Sequence, residues 1–215
     1  MARTQTKGTC ALCGKMYARA GMTKHLQGCL QKTATGKSGT AKGQKLFLVL
    51  VADPYSSDYW LHLKVAAGTN LKAIDTFLRN IWLECCGHMS SFMHGRQELG
   101  MGRKVDLLFR PGLELDYIYD FGSSTELRLM VIDVYEGAMQ SKKPVELLAR
   151  NEAPLIPCDE CGSRPAEMIC DACNWEGEGW LCKPCAEKHE CADGDEDLFL
   201  PIPNSPRAGV CGYTG

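Results

Sequence analysis

Seven of the thirteen cysteines in this 215-residue chain lie between positions 158 and 191. They read Cys158-x2-Cys161, Cys170-x2-Cys173 and Cys182-x2-Cys185, with eight residues between successive pairs, followed by His189 and Cys191. Thiols at this density can form disulfides, hold metal or act as redox nucleophiles. The amino-terminal stretch MARTQTKGTCALCGK has no apolar signal core, so the expected location is the cytoplasm, where thiols stay reduced. A redox pair of the thioredoxin kind needs a single CxxC at the start of a helix, and three evenly spaced pairs do not fit that setting. Metal ligation does fit, because each CxxC turn offers two thiolates on one side of a tight knuckle, half of a tetrahedral zinc site. Even spacing points to an interleaved cross-brace. Cys158, Cys161, Cys182 and Cys185 would hold one ion; Cys170, Cys173, His189 and either Cys191 or Cys211 would hold another. Sites filled by four N and S donors leave no position open for a substrate and are structural. A piece of about sixty residues buries too little area to fold alone, and zinc supplies on the order of 10 kcal/mol per site.

A third set stands near the amino terminus as Cys10-x2-Cys13-x11-His25-x3-Cys29. Tyr17 lies four residues after its second cysteine and Met22 three before its histidine. This arrangement resembles the ββα zinc finger, with cysteine replacing the last histidine and a loop one residue shorter than usual. Three structural zinc ions per chain are therefore expected. Residues 1–52 hold nine Lys and Arg and no Asp or Glu; with a formal charge of −2 for the whole chain, the rest carries −11. An acid-free, basic finger is an electrostatic footprint for phosphate, with Arg3, Lys7, Lys15, Arg19 and Lys24 as candidate nucleic-acid contacts.

The elements that position these ligands divide the chain into four parts: a finger at 1–30, a flexible basic linker at 31–44, a core domain at 45–153 and a two-zinc cross-brace module at 154–215. The core shows strand patterns at 45–52 and 59–65, joined by the turn-forming DPYSSD. A helix follows over 71–85, with Ile74, Phe77, Leu78, Ile81, Trp82 and Cys85 on one stripe, Thr69 or Asn70 as its cap and Gly87 after its end. Further strands are expected at 105–109, 115–121 and 125–135, the last two forming a hairpin. The predicted class is α+β, with a central β-grasp-like mixed sheet over one main helix, flanked by the two zinc modules. No apolar run approaches membrane-spanning length.

Other polar clusters read as structure. Cys85, Cys86, His88 and His94 read as a helix end with buried thiols and a turn histidine. Tyr117, Tyr119 and Phe121 alternate onto one face as core. The triplet Asp120-Phe121-Gly122 lacks the companion motifs of a kinase and reads as a turn. DGDED at 193–197 lacks the remaining ligands of a calcium loop and reads as a solvated acidic turn.

The segments FLRNIWLECCGHMSSF, YIYDFGSSTELRL, LLARNEAP and LCKPCAEKHEC, with the tail LPIPNSPRAGVCGYTG, resemble the plasmid open-reading-frame-three-like family of transposon-passenger-type proteins. The resemblance covers about residues 46–215 and implies an α+β core followed by a zinc-binding tail. It implies no established activity, and the basic finger lies outside the family's core pattern. No nucleophile, base and orienting group occur together. The expected function is a non-catalytic zinc-binding adaptor whose finger docks nucleic acid. The alternative is a protein- or peptide-binding module that uses the core domain and the acidic tail.

Overall fold

The computed structural model describes residues 5–36, 43–192 and 198–215. In chain order it comprises β1 (Lys7–Thr9), β2 (Met16–Ala18), α1 (Arg19–Gly36), β3 (Gln44–Ala52), β4 (Trp60–Ala66), α2 (Leu71–Leu78), β5 (Ser90–His94), β6 (Gln97–Leu99), α3 (Val105–Leu108), β7 (Glu114–Tyr119), β8 (Thr125–Gly137) and β9 (Val145–Arg150). The tail adds β10 (Met168–Cys170), α4 (Asp171–Asn174), β11 (Trp180–Leu181), α5 (Lys183–Ala186) and β12 (Phe199–Pro201). No helix among the described residues is long and apolar enough to cross a membrane.

A seven-stranded sheet in the order β6-β5-β7-β8-β3-β4-β9 dominates the α+β fold. Every neighbouring pair is antiparallel. The expected mixed, β-grasp-like sheet is thus corrected. Three of the six neighbouring pairs, β3–β4, β5–β6 and β7–β8, are sequence-consecutive hairpins, which are antiparallel by construction. The helical crossover between β4 and β5 delivers the chain to a different part of the sheet, beside β7.

The run LFLVLVA in β3 does not alternate, because both of its faces are covered. Phe47, Val49 and Val51 join Leu61, Leu63 and Val65 of β4 on one face, against Leu71, Ile74 and Leu78 of α2 and Trp82 beyond it. Leu48, Leu50 and Ala52 join Trp60, Leu148 and Ala149 on the other, against Cys10, Met22, Leu26 and Leu30. The buried stripe of α1 therefore closes the back of the sheet. This helix runs to Gly36, past the expected end of the finger. Positions 37–42 of the expected linker lie outside the described residues.

Hydrogen bonds fix the same docking. The Glu152 N–H donates to Lys7 O at 2.7 Å and the Ala11 N–H to Leu148 O at 2.8 Å, which places β1 beside the end of β9. Gly8 pairs with Asn151 across this seam. A Cβ on Gly8 would meet the Arg150 carbonyl oxygen and lie 2.6 Å from Trp60 Cη2, so the approach requires glycine. Buried His62 of β4 meets Thr23 of α1, Nε2 to Oγ1, at 2.7 Å, and burial pushes its pKa down to about 3, leaving the ring neutral.

On the opposite face α2 begins at Asn70, whose side chain accepts from the Ala73 N–H. After Leu78 it passes into a π-helical turn, Arg79–Leu83, closed by Glu84 N–H to Arg79 O. The wider turn buries Trp82 and Leu83 and ends the helix before Cys85, earlier than the regular period suggested. Segment 105–109, expected as a strand, is instead the short helix α3, with Val105 and Leu108 buried at i, i+3 spacing. Tyr117 and Tyr119 are buried as expected, but Phe121 is exposed in the turn after β7.

In the tail, β11-β10-β12 form a small antiparallel sheet. Its buried cluster consists of Cys158, Cys170, Leu181, Cys182 and Ala186, so cysteines make up most of that core.

Because α1 covers the sheet, Leu26→Ala should cost about 2–5 kcal/mol of stability in urea unfolding followed by tryptophan fluorescence. Gly8→Val should expose the β9 seam to hydrogen exchange while the β7–β8 hairpin stays protected.

Candidate metal centres

Among the described residues, four groups of Cys and His side chains converge, each with its ligand atoms within 4.8 Å of one another. They are Cys10/Cys13/His25/Cys29, Cys158/Cys161/Cys182/Cys185, Cys170/Cys173/His189/Cys191 and Cys85/Cys86/His88/Cys211. The count is four, not the expected three. All thirteen cysteines are free thiols, and each belongs to one of these groups.

In the amino-terminal group a knuckle between β1 and β2 carries Cys10 and Cys13. The Gly14 N–H donates to Cys10 O, and the turn is completed by Gly14 at φ +72°. His25 and Cys29, one helical turn apart on α1, face this knuckle; Cys13 Sγ is 3.2 Å from His25 Nε2. Tyr17 stacks on the His25 ring with centroids 4.6 Å apart.

The two tail groups are interleaved in sequence. Cys158 and Cys161 flank a knuckle closed by Gly162 N–H to Cys158 O, while Cys182 and Cys185 begin α5. Cys161 and Cys182 sulfurs are 3.8 Å apart. Cys170 ends β10, Cys173 lies in α4, and Cys173 Sγ is 3.2 Å from His189 Nε2 and 3.7 Å from Cys191 Sγ. Cys191, not Cys211, thus completes this set. His189 Nδ1 contacts Glu160 Oε1 at 2.7 Å, leaving Nε2 toward the sulfurs. Such a carboxylate–imidazole contact orients a ligating histidine.

The fourth group joins the end of the helical crossover to the tail. Cys85–Cys86 sulfurs are 3.6 Å apart, Cys86–Cys211 3.7 Å, and His88 Nε2 lies 2.9 Å from Cys86 and 3.5 Å from Cys211. This corrects the reading of Cys85, Cys86 and His88 as a plain helix end; His94 is exposed at the end of β5 and takes no part. Around the group, fully buried Arg207 donates to Cys85 Sγ at 3.5 Å and to Asp120 Oδ2 at 2.7 Å. Arg207 and Arg79 each place a guanidinium carbon 4.8 Å from the Tyr119 ring centroid. The signal in sequence was arithmetic. Once ten cysteines are assigned, Cys85, Cys86 and Cys211 remain, and His88 beside them repeats the three-sulfur, one-nitrogen donor set of two other groups.

These donor sets suit zinc. Zn–S bonds of about 2.3 Å in a tetrahedron place sulfurs about 3.8 Å apart, close to the distances above. Thiols this crowded also resist joint ionisation without a cation. Burial and the charge at Cys10 push Cys29 up to about 11; hydrogen bonding with Cys85 does the same for Cys86. Burial raises Cys173 to about 12, and hydrogen bonding with Cys182 raises Cys185. A divalent ion reverses that balance by stabilising the thiolates.

No family model matches the chain, and no curated protein matches it. Among solved structures, a protein of unknown function from Methanosarcina mazei Go1 aligns with a TM-score of 0.42 and 12% identity, over 57% of this chain and 76% of that one. At that level nothing is transferred from it.

Cys191→Ala should cost the tail one zinc and loosen residues 168–191, measured by elemental analysis and hydrogen exchange. Glu160→Gln should retain the metal but weaken its hold by roughly 10-fold in chelator competition.

Proposed function

We propose that the protein is a non-catalytic, zinc-supported adaptor whose amino-terminal ββα-like finger docks on a nucleic-acid phosphate backbone. The outward face of that unit carries the reading. Lys7, Lys15 and Lys24 are exposed on the strands, knuckle and helix that pack against the sheet from behind. Arg19 is half-buried near Asp53, whose carboxyl pKa is held above its usual value by burial despite the nearby guanidinium, so Arg19 is less open to an external partner than the exposed lysines. Arg3 lies outside the described residues. The exposed start of α1 offers Ala20, Gly21 and Lys24, only one of which has a side chain able to hydrogen-bond a base. Backbone attraction with little sequence preference is the expected mode.

A second reading is favoured by Trp175, which is 86% exposed beside Glu176 and Glu178 in the zinc-rich tail. An exposed tryptophan on an acidic loop suits an anchor for a basic, partly apolar peptide.

Salt distinguishes these modes. Three lysine contacts give a slope of about −2.7 for log affinity against log salt on duplex DNA, and each Lys→Ala change removes about 0.9. Fluorescence anisotropy of a labelled duplex with the full chain, Lys15→Ala and Lys24→Ala should show this series, with Arg19→Ala closer to wild type. Absence of binding at low salt, or a slope unaffected by both lysine changes, would sink the phosphate reading. Peptide capture that is lost in Trp175→Ala would support the second.

A further inference from the structure

We propose that Cys85, Cys86, His88 and Cys211 form a fourth, zinc-type metal centre that latches the carboxy-terminal strap to the core domain. The other three groups each tie together nearby chain, spanning at most 27 residues. This one spans 125 residues between Cys86 and Cys211. Its donors come from two separate structures: the turn after the π-helical segment and the strap of successive turns that follows β12.

The strap is already guided to this position by side chains. Asn151 and Asn204 exchange hydrogen bonds, with Asn151 Nδ2 donating to Asn204 Oδ1 at 2.8 Å and Asn204 Nδ2 to Asn151 O at 2.8 Å. Ser205 Oγ donates to Trp82 O at 2.6 Å, at the base of the same π-helical segment. Arg207 inserts fully and also bonds Ser123 O and Thr125 Oγ1. Farther along, Asn174 of α4 donates to Gly209 O, so the strap holds the tail module and the core together. Cys211 then sits at φ +55°, a left-handed conformation costly for a residue other than glycine or asparagine. A non-glycine residue held there between Val210 and Gly212, with its sulfur at ligand distance from Cys86 and His88, matches a ligand fixed by a bound ion.

Charge supports the same assignment. Three thiolates around a divalent ion leave one negative charge. The Arg207 guanidinium lies beside Cys85 and shares its charge between that sulfur and Asp120, whose Oδ2 is also 3.4 Å from His88 Nε2. Cys86 and Cys211 are exposed, unlike the buried Cys158 and Cys182 of the tail. The fourth ion is therefore the one most open to chelators and to exchange.

The test uses the intact, zinc-loaded chain, with zinc measured per protein by elemental analysis and strap opening by hydrogen exchange over residues 203–215. Wild type should carry four ions, and Cys211→Ser and Cys86→Ser three each. Both variants should lose protection of the strap while residues 158–191 remain protected. In wild type, a mild chelator should remove one ion first, and strap protection should fall with that ion. Three ions in wild type, four in either variant, or loss of an ion without change in the strap would overturn the latch. The last measurement needs no substitution, so it stands even if a variant misfolds. A chain with no zinc would sink the zinc-supported reading of the whole protein; a chain with three would sink this centre alone.

Discussion

Strand β3 is apolar on both faces and its neighbour β4 is buried along its whole length, and the rest of the molecule is arranged to keep both faces dry. An antiparallel sheet can leave one side wet when polar residues alternate with apolar ones. β3 does not allow that, since its Leu48 and Leu50, with Trp60 of β4, point away from α2 as firmly as Val49 and Leu63 point toward it. Burial of side chains of this size contributes roughly 1.5–3 kcal/mol each, so the uncovered second face would be a large loss. α2 and the π-helical turn supply one cover. The other is a short hairpin and helix whose Cys10, Cys13, His25 and Cys29 could hold an ion. Because Cys10 packs directly on the second face of the sheet, an ion held there would be tied to the stability of that face.

The buried charges of Asp75 and Lys64 inside this double-sided core are paired, while His62 Nδ1 and Trp82 Nε1 find no hydrogen-bond partner among the described residues. Asp75, fully buried on α2, accepts from Lys72, Arg79, Ser90 and Tyr117. Lys64 on β4 meets Glu146 of β9 at 3.0 Å. Removing one partner from such sets leaves a buried charge alone, which costs more than the pair contributes. These contacts register the π-helical segment against β5 and β7, and so set where Cys85, Cys86 and His88 emerge.

Much of this was legible in the residues. Local spacing gave the knuckles, because ligands close in sequence must be close in space, and the interleaving of the tail pairs followed from their regular intervals. The periodicity of Ile74, Leu78 and Trp82 placed the main helix, and of the two cap candidates, Thr69 and Asn70, the second serves. The docking of α1 was not legible. Its buried residues Met22, Leu26 and Leu30 read equally well as the private core of an independent finger, and only the lack of alternation in β3 hinted at a second cover. β5, β6 and β9 mix polar and apolar residues because they are short or lie near an edge, where pattern fades. Cys211 could not be paired with Cys86 from spacing, since a separation of 125 residues carries no geometric information until the fold is known.

Glu160 stands between the two knuckle cysteines of one tail centre and grips the histidine of the other. Were ions to fill both groups, closure of Cys158 and Cys161 would fix Glu160, and Glu160 would in turn fix the aim of His189. The two ligand sets thus share one carboxylate, and an ion at either would be felt at the other.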